Sequence, residues 1–227
     1  MRNLAERGRC LKRPLYKHLC QQPQASGGSP TSGASRPLPP LILMTDPIRL
    51  ADPTAAIAAL PPGSAVLFRD YDTCDRPAAA RRLHRLCRAR RLLFLVGADW
   101  RLAIAVGADG LHLPEGMVRH GRRDWRHARR PGFLVTQAAH GRHAVAQAGR
   151  RGVDAVLLSP VFPTASHREA RPLGPLRFAL LVRLSPVPVY ALGGMTGKTA
   201  RRLAGIPIAG IAAIGGLSPR APAQSSS

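Results

Sequence analysis

The sequence predicts a single (β/α)8 barrel, the TIM-barrel architecture, on three observations. Eight short runs rich in Leu, Val and Ile alternate with polar or alanine-rich helical stretches. Alternation of this kind means a parallel sheet with crossover helices. All eight units fit between residues 39 and 217, a compact span that favours a closed barrel. The last two runs each end in paired glycines, where barrels often place a phosphate site. A doubly wound open sheet is the structural alternative.

The expected strands are Leu41–Met44, Ala65–Arg69, Leu92–Val96, Gly110–Leu113, Phe133–Thr136, Ala155–Leu158, Val187–Leu192 and Gly210–Ile214. Helical patterning covers Pro53–Leu60, Arg76–Arg90, Arg101–Val106, His143–Arg150, Leu176–Leu184 and Lys198–Leu203. Residues 1–38 form a basic extension that turns Ser/Gly/Pro-rich and buries little apolar surface, so disorder is expected there and in the tail 218–227. Little chain remains after the eighth strand, so the final helix is expected to be short or missing.

Composition narrows the function classes. Apolar residues make up 45% of the 227, enough for a sizeable core. No apolar run reaches the length of a bilayer span, and the basic N-terminus has no apolar stretch behind it. A soluble, cytoplasmic protein without a membrane partner is expected. The four cysteines, Cys10, Cys20, Cys74 and Cys87, show no zinc spacing and read as reduced thiols. A net charge of +22 raises the question of nucleic acid. However, three of the 34 basic residues are lysine and the rest are arginines spread over helix faces. Aromatics are 4%, too few for base stacking, so nucleic acid is not the expected partner.

Barrel chemistry sits at the C-terminal ends of the strands. Asp46, Asp70, Asp72 and Asp99 fall there, while Asp52 and Asp75 read as helix caps. PVYALGGM at Pro188–Met195 and GIAAIGGL at Gly210–Leu217 supply Gly193, Gly194, Gly215 and Gly216, whose backbone amides suit an anion. The loop after the sixth strand, in LSPVFPTASHREARPLG, carries Thr164, Ser166 and His167, which suit the same phosphate. His140 follows the fifth strand in an apolar setting and is a candidate acid/base. His112, inside GLHLP, reads as structural.

These segments, in this order, resemble the thiamine phosphate synthase/TenI family. The resemblance rests on LILMTD, VLFRD, AVGADGLHL, VTQAAH, GVDAVLLSPVFPTASH with PLG, PVYALGGM and GIAAIGGL, and covers roughly residues 39–217. It implies thiamine biosynthesis and a thiazole-phosphate ligand. A synthase (thiamine-phosphate diphosphorylase) joins that thiazole to an aminopyrimidine diphosphate, releasing pyrophosphate with Mg2+. A TenI-type tautomerase isomerises a thiazole carboxylate phosphate by proton transfer, without metal.

By this resemblance Thr164, Ser166, Gly193, Ile214 and Gly215 fall on phosphate-binding positions, with His167 in place of a lysine and Gly215 in place of a serine. The pyrimidine side departs from the pattern. Gln-x-Arg-x-Lys reads Leu67, Arg69, Tyr71, and Asn-Asp reads Gly97-Ala98, with Asp99 one place on. The acidic position after HLGQE falls near Met117, with Glu115 two places before, and a serine position is Ala138. His140 aligns with the histidine of the tautomerase branch. The resemblance therefore favours a tautomerase slightly. A synthase using Asp99 and Glu115 for Mg2+ stands close behind, and a non-catalytic thiazole-phosphate-binding regulator is the third reading. The oligomeric state stays open, a homo-oligomer included.

Overall fold

The computed structural model describes residues 37–119, 124–164 and 171–214. The expectations for residues 1–36, for a short or missing final helix, and for Ser166, His167 and Gly215 lie outside these residues.

Eight strands run in parallel: β1 (Leu41–Met44), β2 (Ala65–Phe68), β3 (Leu93–Gly97), β4 (Gly110–Leu113), β5 (Leu134–Ala139), β6 (Ala155–Leu158), β7 (Val189–Ala191) and β8 (Gly210–Ala213). They pair in sequence order, and β8 returns to β1 with Leu41 opposite Ile211, so the barrel is closed and the open-sheet alternative falls. The helices are α1 (Thr54–Ala59), α2 (Arg76–Ala89), α3 (Trp100–Ala105), α4 (Glu115–Arg119), α5 (Arg142–Arg151), α6 (Gly174–Arg183) and α7 (Gly197–Arg201), with a 3-10 turn at Asp124–Ala128. The helix α4 and the 3-10 turn were not expected. Both are five residues long, too short to show a helical apolar period.

Side chains of a strand alternate between two faces, and the barrel sorts them into two cores. Ile42, Met44, Leu67, Leu95, Leu134, Leu157 and Tyr190 fill the interior. Leu43, Phe68, Phe94, Val135 and Leu158 pack outward against the helices. The helices meet them with short apolar stripes, such as Ala80, Leu83 and Cys87 on α2, which turns Arg81, Arg82, Arg85 and Arg88 to solvent. Burial pushes the Cys87 thiol up to about 12, so it stays protonated and acts as a small apolar side chain.

The acidic residues do several kinds of local work. Asp75 caps α2 by accepting from the Ala78 amide at 2.9 Å, which contributes about 1 kcal/mol. Pro53 holds the cap position of α1, and Asp52 serves the helix start from one place further back, with Thr54 the first helical residue. Asp52 accepts from the amide and hydroxyl of Thr54. Asp109 and Asp154 lie just before β4 and β6 and accept from the Phe94 and Val135 amides, tying neighbouring strands together at the N-terminal end of the barrel. Asp46 accepts from the amides of Ile48 and Arg49 and folds the loop after β1.

Candidate active site

At the C-terminal rim the loops after β2 and β3 form one corner. The Thr45 hydroxyl donates to Asp70 at 2.5 Å and accepts from the Arg69 amide at 2.9 Å, so it fixes where the chain leaves β2. Arg76 then clamps the corner. Its guanidinium donates to the carbonyls of Gly97 (2.7 Å) and Asp70 (3.2 Å) and to the Asp99 carboxylate (3.3 Å). It also lies over the Phe68 and Tyr71 rings, and its side chain is 14% exposed. Gly97 matters for space: a Cβ there would come within 2.8 Å of the Tyr71 hydroxyl. Asp99 is also the cap of α3, accepting from the Leu102 amide at 2.9 Å.

The sequence signal for Arg76 was its position. A cation in the first turn of a helix opposes the helix dipole, so it calls for a partner elsewhere. Here the partners are the strand-end carbonyls and Asp99.

The opposite side of the rim is built by β4 to β7. Inside the barrel, His112 meets the Thr136 hydroxyl through Nδ1 at 2.9 Å. Burial, with the positive charge of Arg69 and then His140 adding to it, pushes His112 down to about 3, so this ring is neutral in ordinary buffers. Above it, His140 leaves the end of β5, and its Nδ1 contacts the carboxylate of Glu115, the first residue of α4. Strand register explains the meeting. Leu113 of β4 pairs with Gln137 of β5, so the residues just past each strand end, Glu115 and His140, emerge side by side. The sequence offered Glu115 only as a possible Mg2+ ligand with Asp99, because the register that brings it to His140 is set by the closed sheet.

The loops after β6 and β7 are joined by backbone. Val161 and Phe162 donate their amides to the carbonyls of Leu192 and Gly193. Gly193 and Gly194 hold φ of 90° and 64°. A Cβ on Gly194 would meet the Pro163 carbonyl oxygen at 2.5 Å, and one on Gly193 would meet Pro160 at 2.8 Å. Both positions therefore demand glycine, for backbone conformation and for the fit of one loop on the other. Thr164 follows directly on this joint and is half-buried, and Ile214 comes just past the end of β8, which β7 separates from β6 in barrel order.

The structure thus gathers Arg69, His140, Glu115, Thr164, Gly193, Gly194 and Ile214 on one rim. Asp99 and Glu115 are each taken by a protein partner, Arg76 and His140 respectively. Among the described residues no group of three or more His, Cys, Asp or Glu side chains gathers where it could hold a metal ion. None of the described helices is long and apolar enough to cross a membrane.

A closed parallel barrel with its polar groups on the C-terminal rim is the layout of barrel enzymes. Residues 41–217 match the model of the thiamine monophosphate synthase (TMP-TENI) family, and the chain belongs to that family of thiamine biosynthesis proteins. The chain is 34% identical over 138 residues to a putative thiamine-phosphate synthase 2 of Aquifex aeolicus, covering 58% of this chain and 70% of that protein. It is 32% identical over 157 residues to a thiamine-phosphate synthase of Levilactobacillus brevis, covering 66% and 72%. Among solved structures, a thiamine phosphate pyrophosphorylase from Pyrococcus furiosus superposes with a TM-score of 0.64 at 24% identity, covering 78% and 85%, and shares the fold.

Proposed function

We propose that the protein is a cytoplasmic enzyme that isomerises a thiazole carboxylate phosphate by proton transfer at His140, without a metal cofactor. The observation that carries this reading is the contact between His140 and Glu115 at the end of β5. An imidazole held by a carboxylate at the mouth of a barrel is a general acid/base unit. In this reading Thr164, Gly193, Gly194 and Ile214 hold the phosphate, together with Ser166, His167 and Gly215 beyond the described residues. The joined loops after β6 and β7 are suited to that task because their backbone is already committed to one geometry.

The synthase reading is favoured by a different observation, the names of the relatives. It calls for Mg2+, with Arg69 on the pyrimidine side and Asp99 and Glu115 as metal ligands. The donor set does not fit. The two carboxylate oxygens of Asp99 face Arg76 and the Leu102 amide, and Glu115 faces His140. A divalent ion bound with a diphosphate needs carboxylates placed for it.

The test is a pair of assays on the full chain. Thiazole carboxylate phosphate is expected to turn over at the same rate with and without EDTA. Thiazole phosphate with pyrimidine diphosphate and Mg2+ is expected to give no coupling. If the coupling is the only turnover seen, the synthase reading replaces this one. If neither occurs while thiazole phosphate binds, the protein is a non-catalytic regulator.

A further inference from the structure

We infer that Glu115 is a positioning residue for His140, holding the ring in its Nδ1–H form so that Nε2 carries the lone pair; the catalytic meaning of this rests on the proton-transfer reading above. Three observations support it. The contact is made at Nδ1, and a carboxylate only accepts, so the proton must reside on that nitrogen. Glu115 is anchored at the turn where β4 enters α4, immediately after Pro114, so its backbone is set by the barrel. Its side chain is 27% exposed against 46% for His140, so the carboxylate is the more enclosed member of the pair and the ring the more open one.

Among the described residues, two other titratable groups interact with or near the ring and fit this assignment. His112 lies beneath, buried and neutral, and does not compete for the carboxylate. Arg69 lies on the same rim and cannot accept a proton from the ring. An isolated imidazole in water prefers the Nε2–H form, so an acceptor on Nδ1 is needed to reverse it. The carboxylate also stabilises the imidazolium that forms when Nε2 takes a proton, as the carboxylate partner of a catalytic histidine does in general.

The test uses the full chain with Glu115→Ala and Glu115→Gln, and two readouts. The first is the 15N spectrum of His140 in its neutral form, assigned by comparison with His140→Asn. The wild type is expected as the Nδ1–H tautomer, Glu115→Ala as the Nε2–H tautomer, and Glu115→Gln as Nδ1–H, because the amide oxygen still accepts. The second is turnover of thiazole carboxylate phosphate. Loss of an outer partner of this kind costs about 10- to 100-fold, so Glu115→Ala is expected to lose that much in kcat with KM within about twofold. Glu115→Gln, which keeps the tautomer and loses the charge, is expected in between. A wild-type ring in the Nε2–H form, or a tautomer unchanged in Glu115→Ala, overturns the inference whether or not the enzyme turns over. A wild type that turns over through His140 while Glu115→Ala keeps full kcat overturns it as well. Absent turnover with the expected tautomer change leaves the Glu115–His140 assignment standing and overturns only the reaction assigned to it.

Discussion

The two sides of the barrel mouth use their charged residues differently. At the β2–β3 corner, Arg76 gives its donors to two strand-end carbonyls and to Asp99, and it covers two aromatic rings. That is an internal clamp, with its charge spent on the protein itself. On the β4–β7 side, one carboxylate meets one imidazole across the end of two strands, beside a pair of loops locked by backbone. A charge used for architecture is ringed by carbonyls and mostly buried. The Glu115–His140 pair is more open, with the His140 side chain 46% exposed.

Removing the imidazole is expected to have the largest effect. His140→Asn is expected to lower the rate on thiazole carboxylate phosphate by about 10²- to 10⁴-fold, the usual worth of an acid/base group. Affinity for the ligand, followed by titration calorimetry, is expected to change little. A variant that keeps its rate would place His140 with the architectural residues.

Next in effect on turnover is the clamp itself. Arg76→Met keeps the apolar stem and removes the donors, leaving carbonyls and a carboxylate without their cation. Leaving such groups unpaired costs about 1–3 kcal/mol, so urea unfolding is expected to show a loss of that size. The rate is expected to stay within a few-fold of wild type. A rate loss comparable to that of His140→Asn would mean that the corner contacts the substrate.

His112 is expected to matter least to turnover and to show itself in acid. Its folded value is lowered to about 3 from an ordinary 6.5, because burial disfavours the imidazolium. Between those two values the unfolded chain binds a proton that the folded chain does not. Stability is therefore fully present above about pH 6.5 and is lost as pH falls toward 3. The slope from this one group is at most about 1.4 kcal/mol per pH unit. His112→Asn removes that titration, so its acid unfolding curve, measured by circular dichroism, is expected to be flatter across this window. Identical slopes in the two proteins would show that the ring is not kept neutral in the fold.

Much of the architecture was legible in one dimension. The apolar runs 41–44, 110–113 and 155–158 became strands with the expected bounds, because a short apolar run bounded by turn residues has few other ways to bury itself. Gly193 and Gly194 stood out in the sequence as amide donors for an anion, and the structure gives them a different reason, positive φ and the close approach of Pro160 and Pro163. The first turn of α2 was legible as a helix start and illegible as a clamp. Arg76 reaches residues 97 and 99, which chain order keeps apart.

Consecutive residues thus carried the alternation of strands and helices, the preference for a barrel and the family. All of these follow from local patterning and short motifs, which are written in consecutive residues. The pairing of charged groups came with the folded barrel. Asp99 belongs to Arg76, Asp70 to Thr45, and Glu115 to His140, each across some 23 to 25 residues. A carboxylate carries no sign of its partner in its own neighbourhood. Its partner is set by the strand register, which brings residues from neighbouring β/α units to one edge, and register is fixed only when the whole sheet closes.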